Sequence, residues 1–407
     1  MRFLLLNQCF YPDVVATAQY LTDLATELTT RGHDVTVVTS DRGYDDPSVR
    51  FPRRERWRNI RVIRVASLSL GKTSKWRRAL NFGSFIASCS VRLITLKRFD
   101  VVVALTSPPL ISFLAALFVR LKGGRFCFWV MDLNPDEAIA AGWLRPDSTL
   151  ARLFQWMLRY SLDHADRTIA LDRFVKERLL SKGVNAERIA VIPPWSHDDA
   201  VAYSAEGREA FRRRHGLTDK FVVMYSGNHS PCHPLDTLMA AALELKNRED
   251  VVFCFVGGGG EHAKVREFAQ RHELSNVKCL PYQPLNELSH SLSAADLHAV
   301  VMGDAFVGIV HPSKVYNIMS VGAPILYIGP GTSHVTDLVN SGYQFFFTRH
   351  GDTAVVVARI IAACDEDRER RPSNAFSKHT LLPEMIGVLE AEPQSEPYSF
   401  VREVTLP

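Results

Sequence analysis

The sequence has little that would indicate a disulfide-stabilised or zinc-binding protein. Its seven cysteines are odd in number, are scattered along the chain and form no Cys-x-x-Cys pair. This pattern is typical of free thiols in a reducing cytosol rather than of a disulfide framework or a structural metal site. The first seven residues are also too short an apolar run for a signal peptide and are predicted to form a strand. We therefore expect a cytoplasmic protein.

A strong charge of one sign is also missing. The formal net charge is only +4 over 407 residues, and no low-complexity tract or short-period repeat is present. A net charge this small gives no indication of a nucleic-acid partner. Hydrophobic residues make up 46% and charged residues 23% of the chain, which is ordinary for a globular protein.

An uninterrupted membrane-spanning run is the third absence. Residues 101–119 carry no charge, which is close to the length of a membrane span. However, the sequence Thr106-Ser107-Pro108-Pro109 lies inside this run, and two consecutive prolines would break a lipid-exposed helix. The pattern predicts a strand over 101–105, a turn and a helix over 110–121.

The length and the pattern of elements predict two domains of the α/β class. Apolar strand-like runs alternate with helical patterns, first through residue 195 and again from Phe221 onwards. Such alternation indicates parallel sheets covered by helices on both faces. We expect two doubly wound, Rossmann-like domains facing each other across a cleft, over residues 1–195 and 196–375, with a helix and tail over 376–407.

A late segment, from His311 to Pro324, carries the functional argument. His-Pro-Ser is predicted to open a helix that Gly322 closes, with Pro324 beyond it. Backbone amides at a helix start favour an anion, and Lys314 would add a cation one turn in. The segment therefore predicts a site for the diphosphate of a nucleotide-sugar, bordered by Gly308, Ile309 and Ser313.

Three predicted strand-to-helix loops of the second domain carry further donor-side candidates. The first contains Gly227, where backbone could approach a ligand, and Asn228, His229 and His233, which could donate hydrogen bonds to phosphate. A plain polar loop with capping residues explains them equally well. The second loop contains Gly257 in a glycine turn. The third contains Tyr282, on which the base of the nucleotide could lie, although a simple proline-flanked turn would also account for this residue.

Acidic residues follow an apolar strand of the first domain. Asp132 comes first after the strand and is the candidate to orient or deprotonate an acceptor hydroxyl. Asp136 and Glu137 follow, but acids in the first turn of a helix also complement its dipole. The loop 7–19 after the first strand supplies three acceptor-side candidates, Tyr11, Thr17 and Gln19.

A basic segment beside a tryptophan raises the question of a membrane surface. Lys72, Lys75, Arg77 and Arg78 flank Trp76, and the helix that follows is apolar except for a narrow polar stripe. Such a helix is either buried or lies on lipid, and the neighbouring cations favour an anionic membrane. A core helix with a solvated basic loop remains the alternative.

Together these features resemble the family 4 glycosyltransferases, which are retaining enzymes of the GT-B fold, and most of all the bacterial members that build capsule, O-antigen or exopolysaccharide. The resemblance covers nearly the whole chain. It is carried by the order of the loop Asn7–Gln19 and the sequences Thr106-Ser107-Pro108-Pro109, Asp132-Leu133-Asn134-Pro135, Ile192-Pro193-Pro194, Tyr225-Ser226-Gly227-Asn228, Ala294-Ala295-Asp296, Pro312-Ser313-Lys314 and Gly322-Ala323-Pro324.

The resemblance implies a sugar transfer with retention from a nucleotide-sugar bound by the second domain. The acceptor would be a lipid-linked or growing saccharide, bound by the first domain, and a polyprenyl diphosphate is its expected lipid. The resemblance also implies that the terminal helix crosses back to the first domain, and that neither a metal nor another cofactor is required.

Two departures from the family pattern affect the donor site. The family often carries two glutamates eight positions apart, of which the second binds the donor ribose. Ile309 and Asn317 stand at those positions here, so we expect Asn317 to hold the ribose. Asn228 and His233 replace the usual loop cations, so phosphate neutralisation is expected to depend on Lys314. A sugar-nucleotide epimerase or hydrolase, or a non-catalytic sugar-binding protein, remains an alternative on the same frame.

Overall fold

The structure is a computed structural model that describes residues 1–44, 46, 48–68, 70, 75–197, 200–339, 343–366 and 369–392. The chain forms two compact units. Unit 1 contains residues 1–193 together with the last helix from His379 onwards, and unit 2 contains residues 194–378.

Unit 1 is built on an eight-stranded sheet with the strand order β3-β4-β2-β1-β5-β6-β7-β8. Its strands are β1 (Arg2–Leu6), β2 (Asp34–Ser40), β3 (Arg54–Trp57), β4 (Ile60–Val65), β5 (Val101–Ala104), β6 (Arg125–Trp129), β7 (Arg167–Ala170) and β8 (Ile189–Val191). All neighbouring strands pair in parallel except β3 and β4. The inner strands are buried almost throughout, because a parallel sheet is covered on both faces.

Six helices before residue 182 cover this sheet: α1 (Ala16–Thr30), α2 (Lys75–Ile94), α3 (Ile111–Lys122), α4 (Asp136–Ala140), α5 (Thr149–His164) and α6 (Arg173–Ser181). Helix α3 contacts both α2 and α5, so these three form one layer. The uncharged run is divided between β5 and α3, as the two prolines predict. Within the described part of the chain, no helix combines the length and apolar character needed to cross a bilayer.

The antiparallel hairpin of β3 and β4 is not predicted by the sequence patterns. Its turn consists of Arg58 and Asn59, which both adopt positive φ angles of 47° and 63°, as a tight two-residue hairpin connection requires. Strand β3 reads Arg-Glu-Arg-Trp. It lies at the edge of the sheet, so it needs no apolar run to form and gives no strand-like signal.

Unit 2 is built on a six-stranded parallel sheet with the order β11-β10-β9-β12-β13-β14. Its strands are β9 (Phe221–Asn228), β10 (Val251–Gly258), β11 (Val277–Leu280), β12 (Leu297–Val301), β13 (Ile325–Ile328) and β14 (Phe345–Thr348). The helices are α7 (Ala205–His215), α8 (Asp236–Glu244), α9 (His262–Arg271), α10 (Leu288–Ser293), α11 (Lys314–Val321), α12 (His334–Val339) and α13 (Thr353–Asp365). Apolar side chains from β9, β10, β12 and β13 form a core with α8 and α13.

The last helix, α14 (Lys378–Glu390), packs on unit 1. The Arg125 guanidinium donates to the carbonyl groups of Leu389 and Glu390. His33 lies 2.7 Å from the Glu390 carboxylate. Helix C-terminal carbonyls carry partial negative charge, so a cation at this end stabilises the attachment.

Candidate active site

The donor side of the site is built on a pair of glycines in neighbouring strands. Strands β9 and β10 run on to Asn228 and Gly258, so Gly227 and Gly257 lie within strands and not in loops as predicted. They face each other in the register, and their φ angles are 127° and 133°. A Cβ on Gly257 would overlap the Gly227 carbonyl. The two strands therefore pair this closely only because Gly257 has no side chain, while the absence of one at Gly227 leaves room for Lys314.

Lys314 reaches this glycine pair from the start of α11. Its Nζ atom would lie 3.2 Å from a Cβ placed on Gly227, and it lies 3.7 Å from the centre of the Tyr225 ring. The nitrogen is enclosed and has no hydrogen-bond partner among the described residues. Burial lowers the pKa of Lys314 to about 7, because a desolvated ammonium is disfavoured without a counter-charge.

Two histidines lie beside Lys314, in the neutral form. Burial, reinforced by the Lys314 charge, lowers the pKa of His229 and His233 to about 3. The Nδ1 atom of His229 donates to the Gly227 carbonyl at 3.0 Å, and that of His233 donates to the Val301 carbonyl at 2.8 Å. The Nε2 atoms therefore carry lone pairs.

This tautomer corrects the sequence prediction. A neutral imidazole whose Nδ1 already donates can only accept at Nε2. The sequence prediction has His229 and His233 donating to phosphate oxygens. In these tautomers their Nε2 atoms are acceptors instead. They can accept a hydrogen bond from a hydroxyl group or from the Lys314 ammonium.

The predicted helix is present and ends at Gly322 in a left-handed conformation, but several amides at its start are engaged in turns. Helix α11 begins at Lys314, and the preceding residues form tight turns. The amides of Ser313, Val315 and Tyr316 donate to the carbonyls of His311, Pro312 and Ser313. Because these three amides already donate within turns, they are not free to bind an anion. The main positive group at this helix start is therefore the Lys314 ammonium.

Asn317 is also placed differently from expectation. Its side-chain oxygen accepts a hydrogen bond of 3.0 Å from the backbone amide of His197. This contact ties α11 to the chain segment that opens unit 2. A ribose hydroxyl could still bond to the Asn317 amide nitrogen or to the second lone pair of its oxygen.

The remaining donor-side candidates divide into exposed and buried residues. Tyr282 is 44% exposed, and its hydroxyl donates to the Gly258 carbonyl at 3.3 Å. The Asn228 side chain is exposed, while its carbonyl accepts a hydrogen bond from the Tyr225 hydroxyl. Ile309 is buried, and Gly308 precedes it with a φ of 69°. Ile309 offers only its backbone to a ligand.

Two neighbours of the cluster were not predicted. Tyr225 forms the surface on which the Lys314 ammonium rests. The ring of His262 lies 4.7 Å from that of His229, and both Nε2 atoms are enclosed and lack a partner among the described residues. His262 begins α9, thirty-three positions from His229, so only the strand pairing of β9 with β10 brings the two together.

The acid cluster of unit 1 lies just beyond β6. Burial, followed by the Glu137 charge, raises the pKa of Asp132 to about 8. Glu137 is held by the Asn134 side-chain amide at 2.8 Å. Asp136 forms an ion pair with Lys182 at 2.8 Å. Asp132 is thus the acid that retains a proton-transfer capacity near neutral pH, while Asp136 and Glu137 begin α4, as the dipole argument suggested.

The opening loop of unit 1 is held by its own contacts. The Tyr11 ring is 41% exposed and stacks on Trp57 with the ring centres 4.2 Å apart. Gln19 donates to the Val14 carbonyl and so fastens the start of α1. Thr17 is half-buried on the first turn of α1. Of the three acceptor-side candidates, Tyr11 presents the most surface to a ligand.

Comparisons with known proteins agree with this architecture. A model described as a glycosyl transferase 4-like domain matches residues 16–195, and a model described as glycosyl transferases group 1 matches residues 207–378. A putative colanic acid biosynthesis glycosyl transferase of Escherichia coli (strain K12), WcaI, is 27% identical over 334 residues, covering 79% of this chain and 82% of the relative.

Two solved structures show the same fold. Anabaena Alr3699/HepE in complex with UDP and glucose superposes with a TM-score of 0.71 at 17% identity, covering 96% of this chain and 100% of the other. WaaG, a glycosyltransferase involved in lipopolysaccharide biosynthesis, gives 0.68 at 16% identity, with coverage of 96% and 100%.

The two Rossmann-like units, the glycine-lined strand ends and the family models define a nucleotide-sugar-dependent glycosyltransferase of the GT-B fold. The two models together span most of the chain. The protein belongs to the family 4 glycosyltransferases, in the group with relatives in bacterial polysaccharide biosynthesis.

Proposed function

We propose that the protein transfers a sugar, with retention of configuration, from a nucleoside diphosphate sugar to a hydroxyl group of a lipid-linked or growing saccharide. One observation carries this proposal. The Lys314 ammonium is enclosed beside a glycine-lined strand pair and has no partner there among the described residues. A buried cation without a counter-charge is costly, and the diphosphate of a donor would supply that charge.

The donor-side residues then take distinct roles. Lys314 stabilises the charge that develops on the leaving diphosphate, and Gly227 and Gly257 allow the backbone to approach it. His229 and His233 accept hydrogen bonds from hydroxyl groups through Nε2. The exposed face of Tyr282 supports the base, and the Asn317 amide nitrogen reaches the ribose. Gly308, Ile309, Ser313 and Asn228 complete the wall through backbone and polar atoms.

On the acceptor side, Asp132 orients the attacking hydroxyl. Tyr11, Thr17, Gln19 and Glu137 border the acceptor. For retention, the attacking oxygen forms its bond to the anomeric carbon on the face from which the diphosphate leaves, and the leaving phosphate oxygen takes the hydroxyl proton. In this mechanism Lys314 supplies the neutralisation that a divalent metal would otherwise supply, so we propose that no metal or other cofactor takes part. Activity unchanged by a chelator would support this.

The acceptor is proposed to be a polyprenyl-diphosphate-linked saccharide presented at the inner face of the cytoplasmic membrane. Helix α2 supports this, since Trp76, Leu80, Val91 and Ile94 share one helical face and are between 47% and 71% exposed. An apolar face of this kind, beside basic residues, fits an anionic membrane surface. Lys72, from the sequence argument, lies outside the described residues, and Arg77 on α2 is exposed.

The donor site is tested by thermal shift with a panel of nucleoside diphosphates, because a ligand that binds only the folded state raises the unfolding temperature. Uridine diphosphate is the first compound to test, since the similar HepE structure contains UDP. The Lys314→Met variant should lose the shift, while Lys246→Met, which alters an exposed lysine of the same unit, should keep it. An equal shift in both variants would remove Lys314 from the site.

The reaction itself is tested by product analysis with and without acceptor. Transfer requires the acceptor, whereas an epimerase or a hydrolase consumes the nucleotide-sugar without it. Product formed only with acceptor, and with the anomeric configuration of the donor, supports the proposal. Turnover that is independent of the acceptor contradicts it.

A further inference from the structure

The basic residues of the chain are concentrated in one segment of unit 1. Residues 50–131 contain 17 lysines and arginines but only two acids, Glu55 and Asp100, although the whole chain carries a net charge of only +4. The rest of the chain is therefore acidic overall. A charge asymmetry of this size indicates a surface that meets an anionic partner.

Part of this charge is gathered on one face of the β3–β4 hairpin. Arg56 lies directly opposite Arg61 in the antiparallel register, and Arg54 lies opposite Ile63 on the same face. Like charges in directly opposed positions repel each other. All three arginines are exposed, and none of the ion pairs found among the described residues involves them.

The acid of the hairpin does not neutralise this face. Glu55 alternates to the other face of β3, where it pairs with the buried Arg64 at 2.7 Å. Helix α2 contacts β4 and adds Arg92 to the same group. Burial, followed by the charges of Arg54 and Arg61, lowers the pKa of Arg92, and its Nε atom is enclosed without a hydrogen-bond partner among the described residues. Four cations thus lie together and lack a counter-charge from the described part of the chain.

The neighbouring surface indicates what the counter-charge is. Arg92 immediately follows Val91, which is 67% exposed, and so lies on the flank of α2, about 100° around the axis from the edge of the apolar face that ends at Ile94, which is 71% exposed. The other helices of this layer also expose large apolar side chains, including Leu121 of α3 and Trp156 of α5. Cations that border an exposed apolar face match the depth profile of a bilayer, with phosphates above acyl chains.

We propose that Arg54, Arg56, Arg61 and Arg92 form a binding site for the phosphate groups of anionic phospholipids. The proposal rests on the membrane contact put forward above and gives it a second contact point. Trp76 and Arg92 are 16 residues apart on α2, so the two ends of the helix are roughly 24 Å apart. Helix α2 would then lie flat along the membrane surface, with the arginine site at the end opposite Trp76.

The test measures binding of the full chain to vesicles by flotation. One set of vesicles is phosphatidylcholine, and the other replaces a third of it with phosphatidylglycerol. The double variant Arg56→Gln/Arg61→Gln should bind the anionic vesicles about thirtyfold more weakly than the wild type, since each cation near such a surface contributes about a factor of five. The matched control Arg213→Gln/Arg271→Gln removes two exposed arginines of unit 2 and should bind as the wild type does.

Equal binding by the two double variants would overturn the arginine site and leave the membrane contact of α2 standing. Wild-type protein that does not prefer anionic vesicles would overturn it too. Displacement from vesicles by millimolar inorganic phosphate, at matched ionic strength, would show a site for a free anion instead of lipid. The thermal shift with uridine diphosphate reports an intact fold in each variant, and transfer to a detergent-solubilised acceptor tests the transferase separately.

Discussion

The Nζ atom of Lys314 lies 3.7 Å above the centre of the Tyr225 ring, inside unit 2 and without a hydrogen-bond partner among the described residues. The ring face attracts the ammonium electrostatically but satisfies none of its three N–H groups. The neighbouring histidines are neutral and add no counter-charge. With a pKa of about 7, this amine is about half protonated in the free enzyme at neutral pH, and under the proposed function a bound diphosphate would supply the counter-charge that favours the ammonium form.

Replacing Lys314 by methionine should separate binding from stability. The variant keeps most of the side-chain volume and removes the charge, so affinity for the nucleoside diphosphate should fall by about 30- to 100-fold, as expected for a charged hydrogen bond. The free energy of unfolding at pH 7 should stay the same or rise, since the buried amine no longer needs solvation. Calorimetric titration and denaturant unfolding measure the two quantities, and wild-type affinity in the variant would contradict the assignment.

Stability should depend on pH through the same residue. The pKa of Lys314 is about 7 in the folded protein and about 10.5 in an unfolded chain. Between these values the unfolded chain binds more protons, so the free energy of unfolding of the wild type should rise with pH relative to Lys314→Met. His229 and His233 stay neutral in the folded protein across this range, and the residual protonation of unfolded histidines near pH 7 is common to the two proteins and cancels in the comparison. If the free energy of unfolding changed with pH equally in the wild type and in Lys314→Met between pH 7 and pH 10, the low pKa of Lys314 would be contradicted.

Asp132 should control the pH dependence of transfer. Its pKa is raised to about 8 by burial and by Glu137, and the ionised form is the one that accepts the hydrogen bond of the attacking hydroxyl and so orients it. Turnover should therefore rise with pH through this value, and Asp132→Asn should lose roughly 100- to 10,000-fold and lack the rise. The control Asp147→Asn alters an exposed acid of the same unit and should behave as the wild type. An unchanged pH profile in Asp132→Asn would assign the titration to another group.

The glycine pair should tolerate no side chain at Gly257. An added Cβ would overlap the Gly227 carbonyl, and the φ of 133° is unfavourable for any other residue. Gly257→Ala should lower the free energy of unfolding by several kcal/mol. Gly260→Ala, three residues nearer α9 and with open space around the added Cβ, should change it by less than about 0.5 kcal/mol. Similar unfolding midpoints for the two variants would show that the strands can separate.

Much of the fold follows from local pattern. Strand β5 is a buried apolar run, and the strand predicted over residues 101–105 is confirmed to within one residue. The hairpin strand β3 is mostly charged and depends on its pairing with β4, so its local pattern carries no signal. Lys314, His229 and His233, which the sequence indicates as donor-side candidates, do lie close together beside Gly227.

The chemistry of those residues was less predictable than their position. The tautomers of His229 and His233 depend on carbonyl groups of Gly227 and Val301, and the second of these is 68 positions away in sequence. The engagement of the Asn317 oxygen by the His197 amide likewise depends on a contact 120 positions away. Residue type gives the available atoms, but only the tertiary contacts decide which of them remain for a ligand.

The sequence Ala294-Ala295-Asp296 is one of the family markers, yet its acid has a structural role. Asp296 accepts hydrogen bonds from the guanidinium groups of Arg208 and Arg212 and, at 2.7 Å, from the amide of Val222. It thereby fastens α7 to the first strand of unit 2. Relatives that lost catalysis would still need this fastening, so the marker reports ancestry and folding competence. Under the proposed mechanism, the residue that distinguishes an active enzyme is instead the one at position 314.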